Sequence, residues 1–232
     1  MITLDNEMTK AFLGSTEVKK ICLGSEQVWP VSTPSRLPVG YNEIEYISSN
    51  GAQFIDLGFT QKSRNFIFEM KFRWTGTNDG LFETFIGYMA ESGTIPRFGF
   101  HKYQGKWMYG TNATNISSIA VDHDIHTVRI EGKASSNKES FYLDDVLIST
   151  TSTSSTGLSG NTIPMYLFAR NRVSSKDNPS SVDVYSAKYT VYDSSTYTNI
   201  LHDYDFVPCT DSNGNYGVYD IINNVFCGVQ TI

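Results

Sequence analysis

The chain is poor in charge. Of its 232 residues only 18% are Asp, Glu, Lys or Arg, and the formal balance is −6. No basic run breaks that balance, which argues against nucleic acid or an anionic membrane surface as partner. No apolar stretch approaches the length of a membrane-spanning helix, so no membrane insertion is expected. The opening MITLDNEMTK lacks the basic-then-apolar order of a secretory signal. Cysteine is scarce. Cys22, Cys209 and Cys227 are an odd number without CxxC spacing, so they read as small buried apolar residues, with a Cys209–Cys227 bond as the alternative. Helical periodicity is nearly missing, and its best candidate is a short turn at 194–200. There is no Gly-rich phosphate loop, serine elbow or Cys–His pair, so no cofactor is expected.

What the chain has instead is aromatic surface: 14 Tyr, 14 Phe and 3 Trp. Low charge with many large rings marks a tightly packed chain rather than a disordered one. The pattern along it is β. Phe66-Ile67-Phe68-Glu69-Met70-Lys71-Phe72-Arg73-Trp74 alternates strictly, with five apolar side chains on one face. Residues 85–89, 97–101, 106–109, 126–131, 165–169 and 182–192 read as further strands. Residues 141–148 read as a hairpin turning at Asp144-Asp145. The Ser/Thr/Gly-rich stretch 149–160 reads as a loop. Many strands without βαβ alternation predict an antiparallel sandwich over 39–232.

Before that domain lies a phrase said twice. Phe12-Leu13-Gly14-Ser15-Thr16-Glu17-Val18 returns as Cys22-Leu23-Gly24-Ser25-Glu26-Gln27-Val28, closed by Trp29-Pro30. Each copy is an apolar stub, a Gly-Ser turn, a polar pair and a valine. Two hairpins of this size are too small to hold a core, so residues 1–30 are expected to attach to something else. Phe12, Leu13, Val18, Leu23, Val28 and Trp29 are the candidate attachment residues. A Pro/Ser linker at 31–38 follows.

Two resemblances attach to these residues. The short LGS-x-x-V segments resemble the N-terminal sections of tail and head-fibre proteins of gut bacteriophages. The phrases Leu37-Pro38-Val39-Gly40-Tyr41-Asn42-Glu43-Ile44-Glu45-Tyr46-Ile47 and Gly51-Ala52-Gln53-Phe54-Ile55-Asp56-Leu57-Gly58, with the closing Asp205-Phe206-Val207-Pro208 and Gly217-Val218-Tyr219-Asp220, are similar to those of a concanavalin A-like (laminin-G-like) jelly-roll family. That family is common in phage structural proteins and gut-bacterial surface proteins. The resemblance implies an all-β jelly-roll β-sandwich in a non-enzymatic virion protein, a fibre or decoration protein made in the host cytoplasm. It would dock on capsid or tail through residues 1–30 and form a homo-oligomer, with a trimer favoured as in fibre proteins. The exposed jelly roll would contact host-surface glycan. A bacterial cell-surface lectin-like protein is the first rival, and a glycoside hydrolase of the same fold the second.

The residues weigh against hydrolysis. Glycosidic cleavage needs two carboxylates at a set separation, and no Glu-x-Asp-x-Glu run is present. Glu43 and Glu45 have i, i+2 spacing but fall in the opening structural phrase. The acidic pair Asp144-Asp145 and the loop Asp211-Ser212-Asn213-Gly214-Asn215 read as turns rather than calcium loops. His123 and His126 read as residues of a strand start, so no metal site is expected. For glycan binding the best cluster is Tyr103, Trp107 and Tyr109 with Asn112 and Asn115. There, aromatic faces would stack on sugar rings and amides would bond their hydroxyls. Trp107 is also read, with equal weight, as a core residue.

Overall fold

In the computed structural model the described residues are 35–77, 80–90, 97–111, 115–153, 158–173 and 175–232, with the backbone of four short strands before them. The chain divides into two compact units, 1–36 and 37–232. In the first, Ala11–Leu13 pairs with Thr16–Val18, and Ile21–Leu23 pairs with Glu26–Trp29, both antiparallel. The side chains of Phe12, Leu13, Val18, Leu23, Val28 and Trp29 lie outside the described residues.

The second unit is an antiparallel sandwich. Its first sheet runs in the order Asn115–Ala120, Lys106–Thr111, Arg97–Tyr103, Glu83–Met89, Tyr166–Leu167, Gln53–Asp56, Gln230–Thr231. The second runs Val146–Ser152, Lys138–Leu143, Ile125–Lys133, Phe66–Trp74, Ser181–Tyr192, Ile200–Thr210, Tyr216–Asp220, Val225–Gly228. Ile47–Asn50 adds to it beside Ser181–Tyr192. One departure from antiparallel pairing occurs where Phe168 takes a positive φ of 72° and the chain turns back, so that Arg170–Asn171 runs parallel to Glu83–Met89.

The core is aromatic because alternation delivers rings to it from both sheets. Phe66, Phe68, Met70, Phe72 and Trp74 are all buried, while Glu69 and Lys71 are exposed. Across the gap stand Phe98 and Phe100. Phe98 meets Phe68 edge-on at 5.9 Å, and Phe100 meets Phe72 edge-on at 5.3 Å, an edge-to-face geometry that ring quadrupoles favour. Phe141 and Tyr109 stack at 4.6 Å.

One expectation is corrected here. Residues 149–152 continue the edge strand Val146–Ser152 rather than opening a loop, and the Thr150 hydroxyl lies 3.0 Å from that of Ser140 across the ladder. A polar edge strand facing water shows no apolar alternation. Residues 194–197 make a single hydrogen-bonded turn, the Tyr197 amide donating to the Ser194 carbonyl at 3.3 Å, which does not continue as a helix, and the strand Ile200–Thr210 follows. Cys209 and Cys227 are both buried and unbonded. Among the described residues no helix is long and apolar enough to cross a membrane.

Candidate functional site

Three neighbouring strands of the first sheet carry a glycine at one level. Gly99 pairs with Gly87 on one side and Gly110 on the other. A Cβ on Gly87 would lie 2.8 Å from the Phe98 carbonyl oxygen, and one on Gly99 would run into the His101 imidazole. Alternation sends Phe98 and Phe100 into the core, and therefore Arg97, Gly99 and His101 to the opposite face. The glycine row becomes the floor of a trough there. Phe82, Met89, Arg97, His101, Met108 and Arg170 surround a hollow of about 100 Å³.

Electrostatics in the trough are set by arginine. His101 lies against Thr84, Nδ1 to Oγ1 2.9 Å. Burial drives its pKa down to about 3, and the positive charges of Arg170 and Arg97 push the same way. The imidazole is therefore neutral at physiological pH. Arg170 lies 5.2 Å from the Phe82 ring centroid and makes two hydrogen bonds to Asp177, at 2.7 and 2.9 Å. Arg172 reaches the same carboxylate at 3.5 Å. Arg170 and Arg172 thus share the Asp177 carboxylate, and Arg97 lines the hollow beside Arg170. Phe82 and Tyr103, their rings 5.6 Å apart, stand half-buried at its rim. Such a place can hold one small acidic substituent in the hollow while a ring lies on the rim.

Of the residues singled out in the sequence, Tyr109 borders the hollow and Tyr103 stands beside it, against the Phe82 ring. Trp107 is 0% and Tyr109 1% exposed, so neither can offer a stacking face, and this corrects the binding reading of both. The reason is register. Trp107 pairs with Lys102 and Tyr109 with Phe100, and cross-strand partners share a face, here the inner one. Asn115, opposite Tyr109, turns the same way and is half-buried. Asn112 lies outside the described residues. The glycine row, Arg97 and Arg170 went unnoticed. A signal existed in the three glycines, but only the register between strands aligns them.

The acidic candidates resolve into local roles. Asp144 and Asp145 take φ of 49° and 63°, the two left-handed positions of a tight hairpin turn. Asp144 accepts the Thr127 amide at 2.8 Å and lies 2.6 Å from His126 Nδ1. Asp122 lies 2.8 Å from the other ring nitrogen. Burial alone would lower the pKa of His126, but the hydrogen bonds and charges of the two aspartates outweigh it and raise it. Asp211 accepts the amides of Asn213 and Asn215, closing its own turn. Among the described residues no cluster of three or more His, Cys, Asp or Glu could hold a metal.

One carboxyl behaves differently. Glu139 is 2% exposed and accepts the Thr111 amide on both oxygens, at 3.0 and 2.9 Å. Burial raises its pKa to about 7, against the opposing pull of Thr111 and Arg64. Between pH 4.5 and 7 the folded chain then holds a proton that the unfolded chain releases, so stability falls as pH rises across that window. The expected loss is about 3 kcal/mol. Urea denaturation at pH 5 and pH 8 should show it in the wild type, and Glu139→Gln should flatten the difference.

No family model matches this sequence, and no curated protein matches it. Solved structures do match the fold. The CBM40 of the Ruminococcus gnavus IT-sialidase, bound to α2,3-sialyllactose, aligns at a TM-score of 0.53 with 11% identity, over 69% of this chain and 93% of that one. A candidate carbohydrate-binding protein from Bacteroides ovatus aligns at 0.54 with 11% identity, over 82% of this chain and 61% of that one. A variant of the NanB sialidase from Streptococcus pneumoniae aligns at 0.50 with 9% identity, over 84% of this chain and 39% of that one. At these identities the likeness establishes the fold: the second unit is a jelly-roll β-sandwich of the kind found in carbohydrate-binding modules and sialidases.

Proposed function

We propose that the chain is a non-catalytic glycan-binding protein whose trough takes an acidic sugar. The observation that carries this reading is the in-register row Gly87, Gly99 and Gly110, floored by backbone and flanked by Arg97 and Arg170. A small carboxylate-bearing substituent would lie in the hollow against the guanidinium-bearing walls that Arg97 and Arg170 supply. Phe82 and Tyr103 supply apolar faces for the sugar ring. The fold shared with the sialyllactose-bound module of R. gnavus supports the same ligand class. Titration with 3′-sialyllactose and lactose tests it. The acidic sugar should bind at the trough and lactose should fail to displace it. Arg170→Met should weaken the acidic sugar at least tenfold. Indifference of both the wild type and the variant to the acid group would sink the reading.

The chain is displayed, in this reading, on a phage particle as a trimeric fibre or decoration protein, with the hairpins of residues 1–30 docking to capsid or tail. Support for that carrier is the sequence resemblance. Display on a bacterial cell surface accounts for the sandwich and its trough equally well. Fractionating a producing culture separates the two, according to whether the chain travels with DNA-containing particles or with cells.

A further inference from the structure

We propose a second carbohydrate site, for a neutral sugar, at the margin where the chain passes from Ile47–Asn50 in the second sheet to Gln53–Asp56 in the first. Ile44, Glu45, Tyr46, Ser48, Gln53 and Tyr216 line a groove there of about 510 Å³. That is about five times the hollow of the trough and falls in the size range of small-molecule sites. The opening and closing phrases of the domain meet at this place, with residues 44–48 arriving from one and Tyr216 from the other.

The groove combines exposed rings with hydrogen-bonding groups. Ile47 is buried, so alternation turns Tyr46 and Ser48 outward. Tyr46 is 37% and Tyr216 60% exposed. Exposed phenol rings leave apolar faces in contact with water, a cost that stacking with the C–H face of a pyranose removes. Tyr46 is held in place before any ligand arrives. Its ring lies 5.3 Å from that of Tyr185, and the Arg73 guanidinium stands 5.9 Å over it. Arg73 in turn is fixed by two hydrogen bonds to Asp183, at 3.1 and 2.5 Å, and the Ser48 hydroxyl donates to the same carboxylate at 2.6 Å. A ring already ordered loses little entropy on binding.

The polar groups select the ligand class. Gln53 Oε1 accepts from the Ser49 hydroxyl at 3.3 Å and the Asn50 amide at 3.0 Å, which leaves its side-chain NH2 to donate. The exposed Glu45 carboxylate accepts. A donor and an acceptor beside two rings match the vicinal hydroxyls of a neutral sugar. The Glu45 charge repels an acidic one, the opposite selection from the arginine-flanked trough. A proline-rich peptide would use the tyrosines but leave the carboxylate without a partner.

Amide-resolved NMR titration of the full chain with lactose, maltose and cellobiose tests this. At least one disaccharide should shift the resonances of Glu45, Ser48, Gln53 and Tyr216. Tyr216→Ala should weaken that binding at least tenfold with an unchanged melting temperature, and Phe82→Ala should leave it intact. The proposal is overturned if none of the three sugars moves these resonances, if the shifts map elsewhere, or if a proline-rich peptide moves them and the sugars do not. Because Phe82 and Arg170 report on the trough and Tyr216 on the groove, each site fails or stands by its own variants.

Discussion

Trp107→Ala should cost about 3–5 kcal/mol of folding stability, the usual loss on emptying a buried indole site. In a domain of this size that lowers the melting temperature by roughly 6–20 °C. The indole is packed on every side: Phe72 meets it edge-on at 5.3 Å, Phe100 lies at 5.7 Å and Phe85 at 5.8 Å. Rings from both sheets therefore close over the same space, and no single side chain can move to fill it. Its Nε1 is buried without a hydrogen-bond partner. Trp107→Phe should therefore cost less than half as much, since it keeps most of the ring and removes an unpartnered donor. Thermal melts of the two variants check this. A near-wild-type melt for Trp107→Ala would return the residue to the surface and restore it as a candidate sugar platform.

Glu83→Ala should be comparably severe, at about 3–5 kcal/mol, for an electrostatic reason. Lys102 is 0% and Glu83 6% exposed, and their charges meet at 3.0 Å inside the sandwich. The Lys102 ammonium also lies 4.3 Å from the Trp74 ring centroid. Glu83 accepts from the Trp74 indole at 3.2 Å and from the Ser181 amide at 3.0 Å. Deleting the carboxylate removes a buried ion pair from Lys102 and takes the acceptor from the Trp74 indole and the Ser181 amide. Adding Lys102→Met to Glu83→Ala should recover part of the loss, by removing a buried cation that has lost its pairing with Glu83. Full recovery is not expected, because the Trp74 and Ser181 donors remain unpaired. Chemical denaturation of the single and double variants gives the comparison. A single variant within about 1 kcal/mol of wild type would show that Lys102 is compensated without Glu83.

Local pattern carried most of the fold and little of the site. The strand Phe66–Trp74 was legible to the residue because one face is core and the other water. The hairpin around Asp144 and Asp145 was legible because its turn needs residues that tolerate positive φ. The strand Ile200–Thr210 was not: its first three residues are exposed and Pro208 sits within it, so neither alternation nor propensity marks it. Lys102 reads as a surface charge until the register with Trp107 places it inside. The trough depends on three glycines, each unremarkable alone. Their alignment is a property of pairing across strands, and pairing is not written in any one segment. The same gap misassigned Trp107: alternation says that a strand has two faces, but only its neighbours say which one is the core.

The long-range pairing of the second sheet also sets how the chain must fold. Arg73, on Phe66–Trp74, meets Asp183, on Ser181–Tyr192, across 110 residues of sequence, and the pairing of Gln230 with Phe54 spans further still. A ribosome adding roughly 5–20 residues per second needs about 5–20 s to bridge the first gap. Through that interval the edge of Phe66–Trp74 that pairs with Ser181–Tyr192 stays unpaired. Nascent chains of this protein are therefore expected to expose an unpaired strand edge during synthesis, and the two sheets to complete only after nearly all of the domain has been made. Loop closure over such distances also makes refolding slow, on the millisecond-to-second scale typical of sandwiches.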